Sequence, residues 1–243
     1  MNDLLQKFTS DALPGHPNLT PKDAATLILL DRSGPSPKVL MGRRHERHVF
    51  LPGKFVFPGG GVDRNDRRMA AGAPLDPRAE ARLMRQMRRP STAKARALAL
   101  AAVRETFEET GLLIGAKRAE ALAAPAGQWS AFAAARVHPD LSSMHFIARA
   151  VTPPRRARRY DTRFFTADAS AIAERVEGKV GPEAELVELI WVPLADIKQQ
   201  VELLAITELV LRDLQAQIEA GFSHDLPASF YRVVHGRRVR ELL

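Results

Sequence analysis

The sequence contains no cysteine. That excludes disulfides, thiolate metal sites and cysteine nucleophiles, and it fits a reducing compartment, the cytoplasm. Nor is there an uninterrupted apolar run of the roughly 18 residues a membrane-spanning helix needs, so no transmembrane helix and no membrane partner are predicted. The first stretch, "MNDLLQKFTSDALPGH", lacks a basic segment followed by an apolar core, so it does not read as a signal peptide. No G-x-S-x-G, P-loop or zinc-type spacing occurs, and no internal repeat. Seven histidines are present, with His45 and His48 close together, but no pair has a metal-ligand spacing and all read as polar surface residues. Trp129 and Trp191 read as packing residues rather than base-stacking platforms.

What is present is a chain of 243 residues, 45% hydrophobic, enough for a full core. Its net charge of +8 is unevenly spread. Residues 67–96 carry nine Arg and Lys against Asp76 and Glu80. A second run, "RRARRYDTR" at 155–163, has five arginines and one aspartate. Such blocks attract phosphate-bearing partners, although a plain solvated face is the simpler reading of either one.

Short apolar runs rich in β-branched residues predict strands over 24–31, 38–44, 55–61, 144–152, 163–167 and 185–194. Residues 97–110 predict a helix that stops at Gly111, which can take the left-handed cap conformation. Apolar residues return at helical spacing from Asp196 to Ala220, predicting one broken helix or two. The end, "SFYRVVHGRRVREL", predicts a hairpin about His235-Gly236. Strands interleaved with helices predict an α/β or α+β sandwich with a mixed sheet in one domain spanning 1–243. Residues 67–96, with three prolines around "RAEARLMRQMRR", read as a basic excursion outside that core carrying a short helix near 78–89. Residues 221–243 read as a C-terminal extension.

The most informative stretch is "RETFEETG", Arg104 to Gly111. It places Glu105, Glu108 and Glu109 within five positions. At about 100° per residue, Leu100, Val103 and Phe107 share one face while the three glutamates cluster nearly opposite. The plain reading is the wet face of an amphipathic helix. The chemical reading starts from their repulsion: like charges at this spacing oppose each other. A hard dication such as Mg²⁺ or Mn²⁺ would cancel that repulsion, because such ions take a few carboxylates together with substrate phosphates and water.

Upstream stands "FPGGGVDRND", Phe57 to Asp66. With these residues the chain resembles the Nudix hydrolase family. The family signature runs Gly, five residues, Glu, seven residues, then Arg-Glu-apolar-x-Glu-Glu-x-Gly-apolar. Arg104, Glu105, Glu108, Glu109, Gly111 and Leu112 match its second half, with Thr106 where an aliphatic residue is usual. Gly60 matches its first half, followed after five residues by Asp66 in place of Glu. Between Asp66 and Arg104 lie 37 residues instead of seven, the excess being the basic segment 67–96. A subset of the family, including a peroxisomal and mitochondrial type active on coenzyme A esters, carries such an insertion within the motif. "YDTRFF" (160–165) and "ELIWVPL" (188–194) are similar to later stretches of that subset. The subset's coenzyme A signature has an arginine four residues before a glycine that precedes "FPGG" by three. Gly53 fits that glycine, but Val49 holds the arginine position, with Arg47 nearby.

The resemblance implies an α/β/α sandwich that hydrolyses a nucleoside diphosphate linked to another moiety, a coenzyme A derivative or dinucleotide among the options, with Mg²⁺ or Mn²⁺ as cofactor. By position, Glu105, Glu108 and Glu109 would be metal ligands and Arg104 would orient them by ion pairing. Gly59 and Gly60 would let their loop approach the helix. A late-loop acid often adds a ligand or base in this family, and Glu183 or Glu185 would supply it here, Glu188 less readily. Arg156 and Arg159 are the candidates for holding substrate phosphates. The implied partner is a phosphate-containing small molecule. A homodimer stays open, and nucleic acid is the lesser option. The rival class is a non-catalytic module on the same scaffold that holds a nucleotide or RNA; retention of Arg104 and all three glutamates favours the enzyme.

Overall fold

A computed structural model describes residues 4–5, 17–47 and 52–243 of the chain. His48 and Val49 fall outside the described residues, as does most of the N-terminal stretch. Thirteen strands are found among the described residues: β1 (Lys22–Asp31), β2 (Lys38–Arg44), β3 (Phe55–Val56), β4 (Gly59–Gly61), β5 (Leu112–Ile114), β6 (Ala116–Lys117), β7 (Val137–His138), β8 (His145–Val151), β9 (Tyr160–Asp168), β10 (Ile172–Arg175), β11 (Leu186–Pro193), β12 (Ser229–Val234) and β13 (Arg237–Leu242). The helices are α1 (Arg64–Arg68), α2 (Pro77–Met84), α3 (Thr92–Thr110), α4 (Trp129–Ala135), α5 (Ile197–Gln200) and α6 (Ala205–Glu219).

The main sheet is mixed and runs β11-β2-β1-β9-β8-β12-β13, with β3 paired to β2 and β4 to β1. β1 lies parallel to β9, and β8 parallel to β12; the other pairs are antiparallel. β1 reads "KDAATLILLD", a near-continuous apolar run, because both of its faces are covered. Ala25, Leu27 and Leu29 face one core, beneath α3. Ile28 and Leu30 face a second core that includes Leu209, Val210 and Leu214 of α6. The architecture is therefore an α/β/α sandwich, as expected.

The predicted strands are found with two differences: the one expected over 55–61 is broken at Phe57-Pro58 into β3, paired to β2, and β4, paired to β1, and β9 is longer than the five residues expected, running from Tyr160 through Asp168. Two expectations are corrected. Residues 67–96 are not an excursion outside the core. Met69, Leu75, Ala79, Leu83 and Met87 are all buried within the α3-side core. The segment carries a short helix, but one that shuts that core, and its end forms the first turn of α3, which starts at Thr92 beneath the Ser91 cap. Residues 221–243 are no peripheral extension either. β12 pairs with β8 inside the main sheet, and Phe230, Tyr231 and Leu243 are buried. α3 ends as predicted, at Gly111 in the left-handed conformation (φ 79°), whose amide donates to Phe107 O at 2.8 Å.

Candidate active site

The glutamate face of α3 is mostly covered, with Glu109 buried and Glu108 partly exposed. It faces β4, α1 and the end of β11, which explains why the helix is apolar around most of its circumference. Arg104 lies at the centre, 6% exposed. Its Nε donates to Asp66 Oδ1 at 2.8 Å and its Nη2 to Asp66 Oδ2 at 3.1 Å and to Gly61 O at 2.8 Å. Its Nη1 contacts Glu105 Oε1 at 2.9 Å and Glu108 Oε1 at 2.8 Å. One guanidinium thus ties the glycine strand, α1 and two helix glutamates into one unit, as ion pairing by Arg104 implied. Burial alone would favour its neutral form, but the carboxylates around it raise its pKa above the ordinary arginine value.

Asp66, whose place in the site the motif left open, is fully buried. Besides the two Arg104 bonds it accepts the Trp129 indole N–H at 3.2 Å and the Asp63 amide at 2.7 Å. The latter closes a capping box on α1. A shorter side chain in place of the usual Glu here serves as an anchor for Arg104. Trp129 is buried as expected, packed at a tilt against Phe132, which meets Phe107 edge-on. Trp191 is 38% exposed, on the edge strand β11.

Gly60 is required by close approach. A Cβ there would lie 2.5 Å from Glu105 Oε1, so the carboxylate fills the space a side chain would take. At Gly59 a Cβ would lie 2.7 Å from Ala25 O. The Gly59 amide lies near enough to Glu109 to favour its charged form.

Glu109 is 6% exposed, and its Oε2 is buried without a hydrogen-bond partner in the protein. Burial, followed by the charges of Glu185 and Glu105, raises its pKa well above the ordinary value; Arg44 and the Gly59 amide work against that rise. Burial, with the nearby charge of Glu108, pushes Glu105 up to about 7 despite the opposing Arg104. Glu108 is partly exposed.

Of the late acids, the structure brings Glu185 to this centre. It stands at the mouth, paired with Arg44 Nη1 at 3.0 Å, close enough for its charge to act on Glu109. Glu183 pairs instead with Arg47 on the open surface, and Glu188 with Arg43. Arg44, at the end of β2, went unnoticed in the sequence. Its only local signal was a basic pair closing a strand. Arg156 and Arg159 lie in the β8–β9 loop, with β9 and β1 between that loop and the glutamates. Arg159 donates to Asn18 Oδ1, Leu19 O and Thr152 O.

Among the described residues, no three His, Asp or Glu side chains converge closely enough to hold an ion between them. The donor set nevertheless fits a hard dication. Three carboxylates occupy one helix face with a fourth at the mouth, two of them resist ionisation through burial, and one buried oxygen lacks a partner. No helix among the described residues is long and apolar enough to cross a membrane.

Among solved structures, the chain is similar to a Nudix hydrolase from Alicyclobacillus acidocaldarius, at 30% sequence identity and a TM-score of 0.62 over 85% of this chain and 96% of that one. Weaker likenesses are the Nudix domain of Shewanella oneidensis NrtR bound to ADP ribose (15% identity, TM-score 0.44, 82% and 90% covered) and the M. smegmatis Nudix hydrolase RenU (17%, 0.43, 84% and 96%). No protein-family model and no curated protein sequence matches the chain.

Proposed function

This chain belongs to the Nudix hydrolase family, and on that premise we propose that it hydrolyses the pyrophosphate bond of a nucleoside diphosphate linked to another moiety. The observation that carries this reading is the buried, half-partnered carboxylate of Glu109 beside Glu105 and Glu185. A merely structural glutamate would be solvated or fully paired, because an unpartnered buried polar atom costs about 1–3 kcal/mol.

Glu105, Glu108 and Glu109, with Glu185 at the mouth, are the residues that would hold Mg²⁺ or Mn²⁺. Bound there, the ion would offset phosphoryl charge and acidify a water. The chain's own residues do the rest. Arg104, locked by Asp66 and Gly61 O, fixes Glu105 and Glu108 in place. The glycine strand lets that carboxylate sit against the backbone. Water attacks one phosphorus, the bridging P–O bond breaks, and the proton from water passes to a carboxylate. The helix carboxylates and Glu185 are the groups at hand for that acceptor role. Arg44 adds a positive charge at the mouth, where the phosphates of a substrate would enter.

The insertion within the motif and the "FPGG" stretch support coenzyme A esters as one substrate group, while the absence of arginine at position 49 supports dinucleotides equally. The test is a hydrolysis panel with Mg²⁺ and Mn²⁺ over coenzyme A, acyl-coenzyme A, NADH, ADP-ribose and dinucleoside polyphosphates, run on the native chain and on Glu109→Gln. Turnover of at least one substrate is expected, with a fall of about a thousandfold in the variant. The metal-free variant should melt no lower than the native chain, because a repulsive buried carboxylate is gone. Full turnover by Glu109→Gln would remove this residue from the centre, and no turnover across the panel would favour a binding module instead.

A further inference from the structure

The two arginines of the glutamate centre are held on different terms. Arg104 is locked by Asp66, Gly61 O, Glu105 and Glu108. Arg44, the last residue of β2, has a single ion pair among the described residues, Nη1 to Glu185 Oε1 at 3.0 Å. Its Nε is buried and donates to nothing in the protein. Glu109 mirrors it, with Oε2 buried and accepting from nothing, although Arg44 is near enough for its charge to favour ionised Glu109. A donor and an acceptor each costly to leave unpaired thus belong to one centre.

Strand pairing fixes where Arg44 can reach. Its register partner on β11 is Leu186, and the His45 amide donates to the Glu185 carbonyl at 3.0 Å. Arg44 and Glu185 therefore leave neighbouring backbone positions at the mouth, where 15% of the arginine side chain and 43% of the glutamate side chain are exposed. A guanidinium in this place competes with a dication for the same carboxylates, because like charges repel strongly where water is scarce.

We propose that Arg44 is an exchangeable counter-ion of Glu185 and Glu109: it yields these carboxylates to the dication and turns its guanidinium to the phosphates of the substrate. The inference rests on the reading of the centre given above. Arg104 cannot make this exchange, since without Glu105 and Glu108 it would still be bound to Asp66 and Gly61 O. A guanidinium takes phosphate oxygens in pairs, so Arg44 selects for substrates that bring phosphate to the mouth.

The experiment follows binding of Mn²⁺ alone to the full chain through the electron paramagnetic resonance signal of the free ion. Arg44→Met and Arg44→Gln are expected to bind Mn²⁺ about tenfold more tightly than the native chain. Arg44→Lys keeps the charge and should bind as the native chain does, while Glu185→Gln should bind more weakly. On the substrate that the hydrolysis panel identifies, Arg44→Met should raise KM about tenfold, with a smaller change in kcat at saturating Mn²⁺. Weaker Mn²⁺ binding by both neutral variants would make Arg44 a prop for Glu185 and overturn the proposal, as would unchanged binding or an unchanged KM. Mn²⁺ binding that Glu109→Gln leaves intact overturns the reading of the centre as well.

Discussion

Arg104 and Arg163 are both buried on the α3 side of the sheet, and both belong to clusters that secure residues 67–96, yet they are satisfied on opposite terms. Arg104 is surrounded by acceptors: Asp66 on one side, Gly61 O on another, Glu105 and Glu108 on the third. Arg163 gives Nη1 to Asp23, to Asp161 and to the Asp161 carbonyl, while its Nε and Nη2 find no partner in the protein. Around it, Arg149 holds Asp161 through two bonds of 2.7 Å and reaches back to Gln86 O, and Lys94 pairs with Asp23 at 2.9 Å. Although burial works against ionisation, Lys94 and Arg163 keep Asp23 below its ordinary pKa. Three cations thus share two carboxylates, and burial lowers the pKa of Arg163. The first cluster pins the start of segment 67–96 and also positions the helix glutamates; the second pins its end and positions none of them. Saturation therefore follows position: the arginine whose exact geometry matters to the glutamates is the one with every donor placed.

The largest effect that tests this contrast is expected at Asp66. Asp66→Ala leaves the Arg104 guanidinium, the Trp129 indole and the Asp63 amide short of an acceptor in the core. Removing one partner of a buried ion pair costs about 3–5 kcal/mol, and urea unfolding measures it. Hydrolysis should fall with it, since Arg104 would no longer hold Glu105 and Glu108. A loss under about 1 kcal/mol would mean that Arg104 is anchored by something other than Asp66.

Next in size comes segment 67–96 itself. Leu83 of α2 is 1% exposed, so Leu83→Ala should cost about 2–4 kcal/mol through a core cavity. A segment outside the core would give almost nothing, and an effect that small in thermal melts would separate the insertion from the sandwich after all.

A smaller effect is expected at Arg163. Arg163→Met removes the surplus cation and two donors without partners, leaving Asp23 with Lys94 and Asp161 with Arg149. Stability should change by no more than about 1–2 kcal/mol, in either direction, because apolar replacement of a poorly satisfied buried ion is often neutral. Loss of as much as Asp66→Ala would erase the difference between the two clusters.

The sequence made much of this legible, and the omissions have a common cause. The strand at 38–44, the cap at Gly111 and the carboxylate triplet announce themselves through local pattern. The core role of Met69, Leu75, Leu83 and Met87 does not: they stand among prolines and arginines with no sustained period. Asp161 and Arg163 read only as part of the basic run 155–163, and nothing in the sequence joins them to Asp23, because Arg163 and Asp23 are 140 residues apart. Arg44 beside Glu185 and Glu109 was hidden for the same reason. Contacts that depend on sheet order cannot be found from spacing within one strand.

The smallest effect concerns a third attachment of the insertion, the one that titrates. Arg78 of α2 pairs with Asp225 at 2.8 Å, and Arg82 donates to His224 O. The His224 ring stacks on His145 at 3.9 Å, and His145 stacks in turn on Phe222 at 4.0 Å. Burial, followed by the nearby His224 and Arg32 charges, pushes the pKa of His145 down to about 4 from its ordinary 6.5, with Asp76 opposing. Burial lowers that of His224 as well. The unfolded chain therefore takes up a proton on His145 as pH falls through about 6.5, while the folded chain does not until about 4. Across that window the unfolded state binds more protons, so stability falls as pH falls and levels off below it. Discounted for the partial exposure of the ring, the loss is about 1 kcal/mol. His145→Phe keeps an aromatic ring in the stack and removes the titration. Melts at pH 7 and pH 5 should show a smaller drop for the variant than for the native chain, and equal drops would mean that His145 is protonated as readily folded as unfolded. Glu105 of the first buried cluster titrates in the same range, but alike in the native chain and in His145→Phe, so the difference between their drops belongs to this attachment and not to the two buried ones.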